Sequence, residues 1–163
     1  MSVIGFVRPA LLVAAALAAS QSVGCNDAVH DEEVAALGPS DGPNGPTHRA
    51  GQPCLVCHGG IGPAREAFAY AGTVVQDQRG SSGAEGVLVR AEDIDGRTHT
   101  STTNSAGNFF VTPGDFTPHY PMQMTVTSSD GSVSQPMITH IGRDGSCATC
   151  HKPSEGPTSA GPV

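Results

Sequence analysis

Residues 86–103, GVLVRAEDIDGRTHTSTT, contain two strand patterns joined by a turn. Val87, Val89 and Ala91 recur at every second position, which places them on one face of a strand. The Asp-Gly pair near the middle is typical of a tight hairpin turn, and the threonine-rich stretch after it has β-branched side chains that favour strands. These residues therefore predict a β-hairpin with one buried face.

The rest of the segment from residue 68 to residue 138 repeats this alternation of short strand patterns and turns. Gly and Pro account for 21 and 13 of the 163 residues and aromatic residues for 4%, so a bundle of long helices is excluded. We therefore expect a mainly β fold, a small antiparallel sandwich of about six or seven strands. The further strands are predicted at residues 68–76, 108–111, 122–127 and 132–138.

The same segment resembles the carboxypeptidase-regulatory-like, transthyretin-like family of β-sandwiches. The resemblance lies in AGTVV at residues 71–75, GVLV at residues 86–89 and TTNSAGNF at residues 102–109, and it covers residues 68–138. It implies an Ig/transthyretin-like sandwich that serves as a scaffold or adhesion module without chemistry of its own.

Two C-x-x-C-H motifs flank this segment, CLVCH at residues 54–58 and CATCH at residues 147–151. The spacing is typical of covalent c-type haem attachment. Two thiols three positions apart can bond the two vinyl groups at one haem edge, and the histidine that follows can coordinate the iron. The motifs predict two c-type haems with four thioether cysteines, Cys54, Cys57, Cys147 and Cys150, and two proximal iron ligands, His58 and His151.

Paired cysteines have other uses in proteins. Two C-x-x-C pairs can bind zinc, a single pair can be a redox disulfide, and an exported chain can form structural disulfides. None of these uses explains a histidine directly after both pairs. Haem is therefore the favoured interpretation, and zinc is the main alternative.

The motif segments, residues 47–60 and 139–153, resemble bacterial multihaem c-type cytochromes, here with two haems. A histidine lies upstream of each motif, and the resemblance implies bis-histidine ligation with His48 and His140 as the distal iron ligands. Each could serve its own haem or the neighbouring one. The next candidate is His119, whereas the methionines, which would raise the reduction potential as ligands, are expected in the core: Met122, Met124 and Met137.

The first residues are typical of an export signal. Arg8 precedes an apolar run, residues 9–19, that is too short to span a bilayer comfortably. The sequence SVGC at residues 22–25 resembles a bacterial lipobox, which predicts a signal peptide over residues 1–24 and lipidation of Cys25, the cysteine left over from the two motifs. Cleavage near ALA at residues 16–18 by an ordinary signal peptidase is the alternative.

The remaining segments are predicted from composition. Residues 25–47 are acidic and rich in Gly and Pro, which indicates a flexible, lipid-anchored tether, and residues 153–163 indicate a disordered tail. Irregular haem-binding segments at residues 48–67 and 139–152 flank the predicted sandwich.

The chain has 15 acidic and 8 basic residues, a formal charge of −7, which excludes a nucleic-acid binder. Export, two haems and filled iron positions predict an electron-transfer protein, not an enzyme, lipid-anchored in the bacterial cell envelope, in the periplasm or at the outer surface. It would relay electrons between redox partner proteins, either other cytochromes or a membrane oxidoreductase. Two alternatives stay open: a haem-based sensor of small ligands, and a surface β-sandwich for binding or structure with haem or zinc as staples.

Overall fold

A computed structural model of the protein describes residues 27–40, 42–77 and 82–151. The predicted signal peptide, the lipidation site Cys25 and the predicted tail at residues 153–163 lie outside these ranges. The helices are α1 (Ala28–Ala36), α2 (Cys54–His58) and a short 3-10 helix (Cys147–Thr149). The strands are β1 (Tyr70–Thr73), β2 (Leu88–Glu92), β3 (Thr98–Thr102), β4 (Asn108–Val111), β5 (Gln123–Thr127) and β6 (Ser134–Pro136).

Within the described ranges, no helix has both the length and the apolar character needed to cross a membrane.

The six strands form two antiparallel sheets. β1 pairs with β4, and the second sheet has the strand order β3–β2–β5–β6. The predicted mainly β, antiparallel architecture of short strands is confirmed at this level. β1 is shorter than the predicted 68–76 because the next residue, Val74, bonds to loops. Its N–H donates to the carbonyl of Gly107 at 2.9 Å, and its carbonyl accepts from Ala84 at 2.9 Å.

The β2–β3 hairpin has the predicted buried face. Val89 and Ala91 are 1% and 0% exposed, whereas Leu88, on the other face, is 41% exposed. The ladder ends at the Asp-Gly turn, where Gly96 has a φ of 75°. Glycine adopts this left-handed conformation at low cost, so the turn fixes the register that keeps the apolar side chains on one face.

One hydrophobic core draws side chains from both sheets. Its largest fully buried side chains are Tyr70, Met122, Val89 and Val111. Burial of apolar side chains of this size contributes about 1.5–3 kcal/mol each. The hydroxyl of Tyr70 is satisfied by a 3.1 Å hydrogen bond with Nδ1 of His99. Met122 and Met124 are 0% and 3% exposed, which confirms that these two methionines belong to the core.

Within the segment predicted as a flexible tether, residues 28–36 form helix α1, which the composition did not predict. Asp27 caps the helix, since its side chain accepts a 3.2 Å hydrogen bond from the N–H of His30, and Asp31 places negative charge in the first turn. None of the helical residues is buried. Arg49 ties the end of α1 to the next segment by donating to the carbonyls of residues 37 and 38 at 3.2 and 2.6 Å.

Asp93 is a buried carboxylate that closes the β2–β3 turn. Its Oδ1 accepts the N–H groups of Asp95 and Arg97 at 3.1 and 3.0 Å. Its Oδ2 accepts the N–H of His119 at 3.1 Å and the guanidinium of Arg97 at 2.5 Å. Burial alone would raise the pKa of Asp93, but these hydrogen bonds and the Arg97 charge outweigh it and lower the pKa. The fold therefore stabilises the carboxylate form.

Replacing Asp93 with Asn is expected to lower the melting temperature at neutral pH, because the amide has no charge for Arg97 and cannot accept all four donors. A carboxyl group whose pKa is lowered by folding adds stability above its unfolded pKa of about 3.9, and this stability is lost as the pH falls through the folded value. Thermal melts should therefore differ most near pH 7 and converge at acid pH, as the pH falls through the lowered pKa of Asp93. Asp95→Asn, at an exposed carboxylate, is the control and should change the melting temperature little. A penalty for Asp93→Asn that does not vary with pH would contradict this account.

Candidate functional site

Helix α2 presents the first C-x-x-C-H motif to a cleft. Cys54 and Cys57 are three positions apart and His58 is four positions from Cys54, which brings all three side chains to one side of the helix. The helix ends at Gly59, where a Cβ would lie 2.5 Å from the carbonyl oxygen of Leu55. The helix end therefore requires a residue without a side chain directly after the motif.

The cleft has a volume of about 640 Å³, within the range of about 300–1,000 Å³ that is usual for ligand pockets. Both cysteines and His58 line it, together with His48 from the preceding loop and the rings of Phe68 and Phe110. Two thiols, two imidazoles and aromatic rings on one cleft form a donor set suited to a flat, metal-bearing ligand.

The rings of His48 and His58 approach each other in this cleft, with centroids 5.9 Å apart and planes at 44°. Nδ1 of His58 donates to the carbonyl of Glu66 at 2.7 Å, and Nδ1 of His48 donates to the carbonyl of Gly45. A carbonyl can only accept, so Nδ1 holds the proton in each neutral ring and Nε2 keeps a lone pair. Metal-ligating histidines are oriented by this kind of hydrogen bond.

The separation of the two rings fits a shared metal ion. Two imidazoles on opposite sides of one ion have centroids roughly 6 Å apart, given a metal–nitrogen bond of about 2 Å on each side. The observed distance is 5.9 Å. Neither Nε2 has a hydrogen-bond partner in the part of the chain that the structure describes. The residues at the first motif therefore fit a haem iron ligated by both histidines.

Neighbouring side chains hold the two histidines in place. The ring of His58 stacks on Phe68 at 4.2 Å, and Phe68 stacks on Phe110 at 4.8 Å. The side-chain amide of Asn108 donates to the carbonyl of His48 at 3.1 Å, which ties the His48 loop to the start of β4. Asn108 was predicted only as the start of a strand, and no pattern in the sequence pointed to these supports.

The second motif packs against strand β1. The N–H of Ala71 donates to the carbonyl of Gly145 at 3.0 Å, and Ser146 forms a parallel bridge with the same strand. Cys147 then lies directly against Gly72. A Cβ at residue 72 would be 2.7 Å from the Cβ and 2.9 Å from the Sγ of Cys147, so this approach requires glycine.

His151 lines a second, much smaller cavity of about 30 Å³. Cys147, Met124 and Met137 line the same cavity. His140, the predicted distal ligand, is exposed and is not among the lining residues. His48 thus lies beside His58 at the first motif, but His140 does not line the cavity of His151 at the second.

The two motifs lie close together against β1. Thr73 of this strand accepts a 2.8 Å hydrogen bond from the N–H of Gly51, just ahead of the first motif, and the second motif pairs with the same strand. Phe109 lines both the cleft and the smaller cavity. Burial raises the pKa of Cys147 to about 12, and the nearby charge of Cys54 adds to the shift. The motifs therefore share one region of the fold instead of lying at opposite ends.

The four motif cysteines are free thiols. Within residues 27–40, 42–77 and 82–151, the only three potential metal ligands whose atoms lie within 4.8 Å of one another are Asp93, Asp95 and His119. The cysteines are thus not gathered into the tetrahedral set of a structural zinc site. His119, the weaker candidate for a distal ligand, pairs with Asp95 at 2.5 Å in the β2–β3 turn. The His48 loop is held at the opposite end of β2.

Replacing Gly72 with Ala is expected to destabilise the protein by about 1–3 kcal/mol, because the new methyl group overlaps Cys147 and one of the two must move. The free energy of unfolding from chemical denaturation measures this effect. Gly142→Ala is the matched control, because a Cβ there meets nothing within 4 Å, and it should be close to neutral. Equal stability of the two variants would mean that the Gly72–Cys147 contact does not constrain the fold.

No known protein family, curated protein or solved structure matches the chain. The geometry around the two motifs is therefore the basis on which a function can be assigned.

Proposed function

We propose that the protein is a dihaem c-type cytochrome that relays electrons. The observation that supports this function most directly is the first cleft, where Cys54, Cys57 and His58 meet His48 and both imidazoles keep Nε2 available to a metal. A bound c-type haem supplies one-electron redox chemistry at its iron. The chain's own residues attach the group, orient its ligands and limit access to it.

Attachment is the role of the four motif cysteines. In this proposal each motif forms two thioether bonds, and the histidine that follows is the proximal ligand: Cys54, Cys57 and His58 for the first haem, and Cys147, Cys150 and His151 for the second. Covalent attachment suits this chain because Trp is absent and the core is small, so that burial alone would hold a large apolar ring weakly.

His48 would complete the coordination of the first iron. Its Nδ1 hydrogen bond to the Gly45 carbonyl sets the neutral tautomer, and Asn108 holds its backbone. An iron with protein ligands on both faces has no position for a substrate or a gas. We therefore infer an electron carrier, and neither an enzyme nor a sensor of small ligands.

The closeness of the two motifs supports an internal relay, since electron transfer slows steeply as the distance between redox groups grows. Both motifs pack against β1, and Phe109 borders both cavities. Cys150 is exposed, so the second motif also reaches the protein surface. Electrons could then pass between the two sites within one chain and leave to a docked partner.

The two sheets are inferred to pack as an Ig/transthyretin-like sandwich that positions the motifs. The shared core, which draws on both sheets, supports this arrangement. The contribution of the sheets is positional: Gly72 admits the second motif, while Thr73 and Asn108 bond the loop ahead of the first motif. The scaffold would thus supply geometry, with the chemistry confined to the flanking segments.

Location and partners belong to the same proposal. The signal-like residues 1–24 and the lipobox-like Cys25 favour lipid anchoring in the bacterial cell envelope, in the periplasm or at the outer surface. The formal charge of −7 favours redox partners with a basic docking surface, either other cytochromes or a membrane oxidoreductase.

Replacing both cysteines of one motif with serine is expected to reduce the covalent haem content from two per chain to one, because no thioether bond to that haem can form. Cys54→Ser with Cys57→Ser tests the first motif, and Cys147→Ser with Cys150→Ser tests the second. Intact mass and haem absorbance measure the content after expression in a host that matures c-type cytochromes. Cys25→Ser is the control and should keep both haems. Two covalent haems in either paired variant would sink the attachment assignment.

Replacing His48 with Ala is expected to open the first iron to an external ligand. The reduced variant should bind carbon monoxide with a spectral change equivalent to one haem, whereas the parent should show no such change at this site. His119→Ala is the matched control, because His119 is held by Asp95 at the far turn. A His48→Ala variant that does not bind carbon monoxide would remove His48 from the ligand set.

A further inference from the structure

We propose that Tyr70 and His99 form a proton-coupled redox pair. A one-electron oxidant, such as a radical derived from peroxide, takes an electron from the phenol ring of Tyr70, while the phenolic proton moves to Nδ1 of His99. The products are a neutral tyrosyl radical, an imidazolium and the reduced oxidant. This activity does not depend on the proposed haems, and it gives the chain a redox site made of its own side chains.

The hydroxyl of Tyr70 and the imidazole of His99 are joined by a hydrogen bond of 3.1 Å between the oxygen and Nδ1. Tyr70 is 0% exposed, and its hydroxyl has no other hydrogen-bond partner among the described residues. A buried hydroxyl whose proton has no acceptor costs about 1–3 kcal/mol, so the hydroxyl donates and Nδ1 accepts. The proton of the phenol therefore already points at the base that would receive it.

Oxidation of Tyr70 requires a base inside the protein. A phenol that has lost an electron is a far stronger acid than the neutral phenol, so its proton leaves together with the electron. Burial raises the pKa of Tyr70, with a smaller contribution from Cys147, so the ring is a neutral phenol at physiological pH. Burial also excludes water as the acceptor. Nδ1 of His99 is the base in place, and an imidazole takes up a proton near neutral pH.

Tyr120 provides the comparison within the same chain, which has 2 Tyr and no Trp. The hydroxyl of Tyr120 points to the backbone carbonyl of Ala69, with 3.5 Å between the two oxygens. A carbonyl accepts a hydrogen bond, but it is too weak a base to take the proton. Tyr120 therefore has the same ring chemistry without a proton acceptor, and we expect the radical at Tyr70.

Phe116 holds the two rings of the pair in place. Its ring meets the edge of Tyr70, with centroids 6.4 Å apart and planes at 84°. It also stacks on His99, with centroids 5.7 Å apart and planes at 26°. The pairing of β2 with β3 sets His99 opposite Ala91, which is 0% exposed. Proton transfer needs a donor and an acceptor at a fixed, short distance, and this packing provides it.

The pair lies beside the segment of the second motif. Tyr70 begins β1, and a Cβ at Gly145 would be 2.8 Å from both Cα and Cβ of Tyr70. His99 is half-buried on β3, which is an edge strand of the second sheet. The phenol is thus shielded from solvent, which protects a radical from side reactions, while its base lies nearer the surface and can pass the proton on.

The test uses the full chain from a host that matures c-type cytochromes, with a photo-oxidised ruthenium(III) polypyridyl complex as the oxidant. The parent should give a tyrosyl signal in electron paramagnetic resonance that changes shape when its tyrosines are ring-deuterated. Tyr70→Phe should abolish this signal, whereas the matched control Tyr120→Phe should keep it. The amide of His99→Asn accepts a hydrogen bond but not a proton, so this variant should form the radical at least about tenfold more slowly.

A second readout separates proton transfer from simple packing. Radical formation in the parent should slow in heavy water, and His99→Asn should lose this solvent isotope effect. A parent without a tyrosyl signal, a signal that survives Tyr70→Phe or disappears in Tyr120→Phe, or a His99→Asn variant that reacts at the parental rate would overturn the pair. His99→Asn also decides the question if Tyr70→Phe is poorly folded, as judged by its melting temperature. Haem content by mass is a separate result: a radical at Tyr70 in a chain without covalent haem would overturn the dihaem function and leave the pair standing.

Discussion

The contact between Cys147 and Gly72 is the constraint on which the arrangement of the two motifs depends. Because residue 72 has no side chain, the segment of the second motif can lie directly along β1, and the same strand bonds the loop ahead of the first motif through Thr73. A strand of four residues thereby becomes the common wall of two sites that are 93 positions apart in the chain, counted from Cys54 to Cys147. Close packing leaves little freedom at such a wall, so the relative position of the motifs is a property of the fold and not of the linking loops.

The histidines of the first cleft are oriented by backbone carbonyls, those of Gly45 and Glu66, and not by carboxylates. Both kinds of acceptor fix the tautomer, but a neutral carbonyl polarises the ring less than a charged group does. Redox tuning in the proposed cytochrome would therefore come chiefly from the identity of the axial ligands and from the surrounding aromatic rings. The buried core, by contrast, contributes stability and shape, which agrees with the usual division between a rigid scaffold and functional loops.

Patterns that depend on neighbouring residues were predictable, and those that depend on contacts across the fold were not. The alternation of Val87, Val89 and Ala91 and the turn at Gly96 predicted the central hairpin, because period and turn chemistry are local. Helix α1 was missed because acidic composition outweighed its N-cap signal at Asp27. The upstream histidines look equivalent in the sequence, yet Asn108 holds one beside His58, whereas the other, His140, is exposed and does not line the cavity that contains His151. Spacing alone contains no information about such tertiary hydrogen bonds.

The short edge strand β6 has a consequence for how copies of the protein behave when they are crowded together. An unpaired strand edge offers a row of donors and acceptors to which another chain can add, and sheets often grow into aggregates in this way. Here the edge spans three residues and ends at Pro136, which has no N–H to donate. A second chain would find too few bonds there to add a stable strand, so this margin of the fold resists polymerisation by sheet extension even at high surface density.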